Sequence, residues 1–367
     1  MTTTTPNERL APSELPIRVP ASPAEATSVE TRVGYLLSAA HEDLPGAADV
    51  LAGLRAGLPG ALEAAFVRED AGALLDVHRA VYAIYELPLG DPLFPGTVHQ
   101  HSPWLSEVRW QIEEAWLPFE LASVRERLPD PAAVQSGERI SEWFVQAAAE
   151  ETDLDRRVVR FLAEEADLEQ YKLFVLSDGP LNYRFYDALV LAQIHYSERI
   201  KEEISHHMWD ECGNGDGRLA HTEQFTRTLR TLGLTLPRSP VWEDWRPYAG
   251  HNLYFLLGFN RRHYFKALGS LAMPELFDSV RDQAVVDGLE RLGFRGDQDF
   301  EYFFNHVEGD ADHGPGWLDR VIVPAVEANP ESAIELATGG ALRMEAMRRY
   351  NAYLAGRFGL LHGAAAG

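Results

Sequence analysis

The sequence predicts an all-α fold, and three observations carry that expectation. Apolar residues recur at helical spacing along most of the chain, while glycine and proline clusters punctuate them. No stretch alternates apolar and polar residues as a half-buried strand does. Neither a G-x-G-x-x-G fingerprint nor a phosphate loop occurs, and no internal repeat is visible. With 367 residues, 46% of them hydrophobic, the chain can bury one large or two modest cores.

Residues 1–27 are rich in Thr, Pro and Ala without an apolar period and read as a disordered tail. Val33, Leu36 and Leu37 open a helical stripe, which ALLDVHRAVYAIYEL (73–87) continues until three prolines in GDPLFPGTVHQHSPW (90–104) break it. Helices follow over 105–127, 132–150 and 153–176. SDGPLN (177–182) reads as a stop and restart, with Asp178 or Asn182 available as N-cap. A long helical stretch over 183–210 ends at CGNGDG, and further helices are expected over 220–232, 252–269, 274–292, 298–313, 317–328 and 332–358. The expected organisation is a tail (1–27), an N-terminal accessory helical region (28–150), a helical domain bearing the site (151–358) and a C-terminal tail (359–367).

A net charge of −23 leaves no basic stripe for a nucleic acid or an anionic membrane. No basic leader precedes an apolar stretch, and no apolar run approaches the ~18 residues of a membrane span. The expectation is a cytoplasmic protein. Cys212 is the one cysteine, so intrachain disulfides and cysteine-based zinc or iron–sulfur sites are excluded. Any metal must sit on His, Asp and Glu, a donor set that suits iron, manganese or zinc. Cys212 as a catalytic nucleophile is the less frequent reading, since buried structural thiols are common.

Three stretches carry donors for such a metal. In EYFFNHVEGDADHGPGW, His306, Asp310 and His313 stand at offsets of four and seven, which on a helix confines them to an arc of about 60°. The plainer reading is a solvated acidic face, but the apolar run before it places this helix in the interior, where charged groups need partners. Gly309 and Gly314-Pro315-Gly316 weaken the helix at this point. In MWDECGNGDGRLAHTEQF, Glu211 and His221 flank a glycine loop; on unbroken helix they would sit about 80° and 15 Å apart, so they share a metal only if the glycines kink the chain. On spacing alone the plainer reading is a helix end, a turn and a new helix. Glu275 follows Pro274 among apolar residues, which is also an ordinary first-turn position. A rival pairs Glu203-x-x-His206 with Asp310-x-x-His313, in the manner of ferritin-like di-iron bundles. His99 and His101 lie in the proline-rich loop without a carboxylate nearby in sequence.

The segments LNYRFYDALVLAQI…WDECGNGDGRLAHTEQF, LGSLAMPEL and FFNHVEGDADHGPGWL, in this order over roughly residues 150–358, resemble the haem-oxygenase-like di-iron oxidases, a family of iron-containing redox enzymes. The resemblance implies a haem-oxygenase-like helical bundle with an additional N-terminal helical region. It implies the ligand set Glu211, His221, Glu275, His306, Asp310 and His313, which displaces Glu203 and His206. Asp187 is a looser match to an extra carboxylate in some relatives, and Cys212 stands where a bulkier residue is expected. The implied cofactors are two Fe(II)/Fe(III) ions with O2 as co-substrate. The implied partners are a small-molecule substrate and an external electron donor, and a homodimer is compatible with this reading. Three carboxylates set −3 against the +4 of two ferrous ions, leaving a weakly charged centre open to O2 and substrate. The expected activity is a non-haem di-iron oxygenase in natural-product biosynthesis, N-oxygenating the amine of an amino-acid-like substrate. The alternatives are oxidative C–C cleavage or desaturation of an amino or fatty acid, a haem oxygenase with one proximal histidine, and an iron-binding helical protein without turnover.

Overall fold

The computed structural model describes residues 17–194, 197–237, 239–295 and 299–363, except the side chains of 308–312 and 362–363. Among these residues the secondary structure is helical, with no strand, as the sequence predicts. No helix among them is long and apolar enough to cross a membrane. The chain forms two compact units, Met1–Phe119 with Pro237–Tyr248 and Glu120–Leu236 with Ala249–Gly367.

The first unit is built on α1 (Val29–Leu37), α2 (Ala47–Phe66) and α3 (Ala71–Leu89), which pack on one another. Ser28 and Thr31 form a reciprocal capping box at the start of α1. The Asp76 carboxylate on α3 accepts the first-turn amides of Val29 and Glu30 at 2.9 and 3.0 Å, pinning the positive end of α1 to its neighbour. Val33, Leu36, Leu54, Leu58, Val77 and Val81 close the interior. Of the expected tail, residues 1–16 lie outside the described residues; 17–27 lead into α1 through a 3-10 turn at Pro23–Glu25.

α4 (Pro103–Val124) leads into the second unit, which carries α5 (Gly137–Ala148), α6 (Asp153–Glu164), α7 (Leu168–Asn182), α8 (Phe185–Gln193), α9 (Glu198–Glu211) and α10 (His221–Thr231). After α11 (Trp245–Phe259) it continues with α12 (Tyr264–Ala272), α13 (Asp278–Arg291), α14 (Glu301–Trp317), α15 (Val323–Ala328) and α16 (Ser332–Arg357). α12 and α16 lie so close that a Cβ on Gly269 would stand 2.0 Å from the Leu336 carbonyl and one on Gly339 1.9 Å from that of Lys266. Only glycine allows this crossing.

Several boundaries differ from the sequence reading, each for a local reason. The helix expected over 153–176 is two, because Asp167 and Gln170 form a capping box that restarts the chain. SDGPLN is not a break: α7 runs through it to Asn182, with Pro180 in its last turn and Gly179 pressed under Leu236, where a Cβ would lie 2.4 Å from Cδ1. The stretch over 183–210 is divided into α8 and α9, that over 252–269 into α11 and α12 by a 3-10 turn at Arg261–His263, and Pro274–Leu276 forms its own 3-10 turn before α13. α14 does not break at Gly314-Pro315-Gly316; it continues to Trp317 and passes into a π-helical turn, Leu318–Ile322.

Beside the site, α13 buries a group with uneven charge. Arg281 lies 3.7 Å from Asp178 on α7, 3.6 Å from Asp278 and 3.8 Å from Asp282, and the Tyr350 hydroxyl donates to Asp178 at 2.6 Å. Three carboxylates thus share one guanidinium. Burial pushes the Asp282 carboxyl up to about 8; Arg281 opposes the shift, and Asp278 and Asp178 add to it. A raised carboxyl gives stability that is full below its unfolded value near ~3.9 and is lost as pH rises through its folded value. Wild-type melting temperature should therefore fall between pH 5 and pH 9, and Asp282→Asn should reduce that fall by roughly 3–10 °C. Identical pH slopes in the two proteins would show that Asp282 does not carry the effect.

Candidate metal centre

α9 supplies one wall. Glu203, His207 and Glu211 follow at offsets of four and therefore share a face, and His207 and Glu203 are 2% and 4% exposed. His206 turns outward, with 61% of its side chain exposed, and faces Asp210 at 3.7 Å. Glu203 instead accepts from Arg320. The rival Glu203/His206 pair thus points two ways and forms no common site.

Glu211 ends α9 and His221 begins α10, and the glycine loop between them makes the kink the spacing requires. Gly213, Asn214 and Gly215 adopt φ of +75°, +55° and +88°, a left-handed run that reverses the chain. A Cβ on Gly213 would lie 2.4 Å from the Ala220 amide nitrogen, so the turn closes only on glycine. Glu211 Oε2 and His221 Nδ1 come to 3.1 Å.

α14 crosses beneath with its histidines facing the same space. His306 Nδ1–H donates to the Tyr302 carbonyl at 2.6 Å, which leaves the Nε2 lone pair free, and its ring centre lies 4.5 Å from that of His221. Two turns on, His313 Nδ1 is 3.6 Å from Glu275 Oε2, and its Nε2 is 3.4 Å from Asp210 Oδ2. Glu275 stands in the Pro274–Leu276 turn and is wedged against α14: a Cβ on Gly314 would meet its carbonyl at 2.7 Å.

The structure therefore brings together Glu211, His221 and His306 in one group and Glu275 and His313 in a second. Asp310 lies between the histidines on α14, with its side chain outside the described residues. Asp187 pairs with Arg184 at 3.2 Å on α8. The residue the sequence reading missed is His207. Its ring lies 4.2 Å from that of His313, and its Nδ1 is 4.0 Å from Glu275 Oε1. One donor atom from each of His207, Glu275 and His313 fall within 4.8 Å of one another. The signal is present in the i, i+4 spacing from Glu203 and to Glu211, whereas the Glu-x-x-His motif falls on the exposed neighbour, His206.

The electrostatics suit a cation. Burial pushes His306 down to about 4 and His207 down to about 3, with His221 and His313 respectively adding to the shift, so both are neutral at pH 7 with a lone pair to offer. Burial would raise Glu211, but His221, His306 and His207 outweigh it and hold the carboxyl below its usual range. Glu211 in turn holds His221 above its usual range in spite of burial. Glu275 is raised, because burial exceeds the pull of His313. Glu211 feels His207, and His221 feels Glu275 and His313, so the two groups share one electrostatic pocket.

Among the site's nitrogens, buried His221 Nδ1 has no hydrogen-bond partner, and the His207 Nδ1 lone pair meets only the long 3.3 Å bond from Trp317. For His221 this holds although Glu211 is only 3.1 Å away, because the two groups are misaligned for a hydrogen bond. Donors converging on common space in this way fit a shared cation, and the mixed imidazole and carboxylate set fits iron.

Residues 172–348, from within α7 to within α16, match the family described as iron-containing redox enzyme. Over 132 residues the chain is 32% identical to a nitrosourea synthase of Streptomyces achromogenes subsp. streptozoticus; the match spans 34% of this chain and 27% of that relative. A crystal structure of a CADD-like protein of unknown function from Nostoc punctiforme superposes with a TM-score of 0.49 at 18% identity, over 60% of this chain and 97% of that one.

His221→Ala should sharply lower the iron retained by protein reconstituted anaerobically with Fe(II), whereas His206→Ala should leave it near wild type. Metal analysis after desalting gives the answer, and the reverse pattern would restore the ferritin-like assignment.

Proposed function

We propose that the protein is a non-haem di-iron oxygenase that transfers oxygen from O2 to the amine nitrogen of an amino-acid-like small molecule. The observation that carries this reading is the pair of imidazole–carboxylate groups, Glu211/His221/His306 and Glu275/His313, meeting in one half-buried cluster within a segment that matches an iron-containing redox enzyme family. Asp310 is proposed as a sixth ligand on its helical register between His306 and His313. Nitrogen is favoured as the target because a relative is a nitrosourea synthase, and a nitrosourea carries an oxidised nitrogen.

Two bound irons would supply the reducing power and the Lewis acidity that O2 activation needs. The protein's own residues do the rest. His306 is locked by its bond to the Tyr302 carbonyl, so it offers Nε2 without reorganisation. Asp210 takes the Nε2–H of His313 and fixes the tautomer that aims Nδ1 at Glu275. Phe225, Tyr302 and Phe303 form a buried aromatic wall beside His221 and His306; the Tyr302 hydroxyl is turned away, to Asn182 at 2.9 Å. That wall would keep water from an amine held beside these histidines, whose nitrogen must be neutral to offer its lone pair. Overall, an amine, O2, two electrons from an external donor and two protons give a hydroxylamine and water.

Reduced, iron-loaded protein given amines of amino-acid type under 18O2 should yield a product heavier by one 18O on nitrogen, read by mass spectrometry. Product with no label on any amine, while an amino or fatty acid loses CO2 or gains a double bond, would replace N-oxygenation by oxidative cleavage or desaturation at the same centre.

A further inference from the structure

His207 lies outside the ligand set that the family pattern supplies, yet it is built into the second metal position as fully as His313. We propose that His207 Nδ1 is a metal ligand, completing with His313 and Glu275 a two-histidine, one-carboxylate face for one of the two ions. The proposal rests on the metal-centre reading above and deepens it.

The argument is one of matched surroundings. Each histidine turns Nδ1 toward a different oxygen of the same carboxylate: His313 to Glu275 Oε2 at 3.6 Å, His207 to Glu275 Oε1 at 4.0 Å. Each turns Nε2 toward a carboxylate of α9: His313 to Asp210 at 3.4 Å, His207 to Glu203 at 4.0 Å. A histidine ligand backed on its other nitrogen by a carboxylate has its tautomer and orientation fixed for the metal. Two histidines and a carboxylate on one side of an ion, with the opposite positions open, form the face that non-haem Fe(II) oxygenases use.

Trp317 fixes the tautomer further. Its indole N–H donates to His207 Nδ1 at 3.3 Å, so the lone pair is on Nδ1 and the ring proton is on Nε2, facing Glu203. That Nε2 has no hydrogen-bond partner, and the ring is 2% exposed. Glu203 is held in place by Arg320 from the π turn that follows α14. His207 thus presents its lone pair on the side of Glu275 and His313, held only by the 3.3 Å bond from Trp317, and an ion taking that pair would displace that bond alone.

Co(II) is a suitable probe, because its visible absorption reports the ligands directly and needs no turnover. Wild-type protein should bind Co(II) with d–d absorption, and His207→Ala should weaken one of its sites at least ~10-fold with altered absorption. Added imidazole should restore both affinity and spectrum by filling the vacated space, which a merely packing role would not allow. Glu203→Gln leaves His207 in place and should cost about tenfold in affinity at the same site. His207→Ala protein that binds Co(II) with unchanged affinity and spectrum overturns the assignment of His207 while leaving the metal centre standing. Wild-type protein that binds neither Co(II) nor Fe(II) overturns the metal-centre reading itself.

Discussion

Imidazoles and carboxylates taken out of water in the interior of a helical bundle must find partners, and this constraint organises the second unit. An isolated ionised side chain in a medium of low polarity costs several kcal/mol even after relaxation. The protein meets that cost in pairs: Glu211 with His221, Glu275 with His313, Glu203 with Arg320. The pairing is incomplete, since buried His221 Nδ1 has no hydrogen-bond partner and the lone pair of His207 Nδ1 is held only by the long bond from Trp317. A cation among them would use those lone pairs and offset the carboxylate charge at once, coupling metal binding and stability through the same atoms.

The geometry follows from two helices and one turn. α9 sets Glu203, His207 and Glu211 along a single face, and α14 sets His306 and His313 two turns apart, so each histidine of α14 meets a different carboxylate. The left-handed run at Gly213 to Gly215 then folds His221 back onto Glu211. Donors on helices and a closed turn are held more tightly than donors on a loop. The same economy leaves little slack in α14, where the π turn at Leu318–Ile322 adjusts the helix without breaking it and brings Arg320 to Glu203.

Much of this was legible in the residues. The helical period gave the all-α fold, and the i, i+4, i+7 register of His306, Asp310 and His313 placed them on one face. What spacing could not decide was whether the glycine loop kinks enough to join Glu211 to His221; that depends on left-handed φ values and on the approach of Ala220, which are tertiary facts. SDGPLN and Gly314-Pro315-Gly316 misled for the opposite reason, because packing under Leu236 and against the Glu275 carbonyl holds helix where local propensity predicts a break. His207 and His206 are adjacent and identical in type, so only burial separates the inward residue, 2% exposed, from the outward one.

The central claim is that one chain holds two irons between these groups. Anaerobic titration with 57Fe(II), followed by Mössbauer spectroscopy, tests it directly. The account predicts saturation at about two high-spin ferrous ions per chain, in sites that are both oxidised on exposure to O2. Saturation at a single ion, or ferrous ions that O2 leaves unchanged, would contradict it.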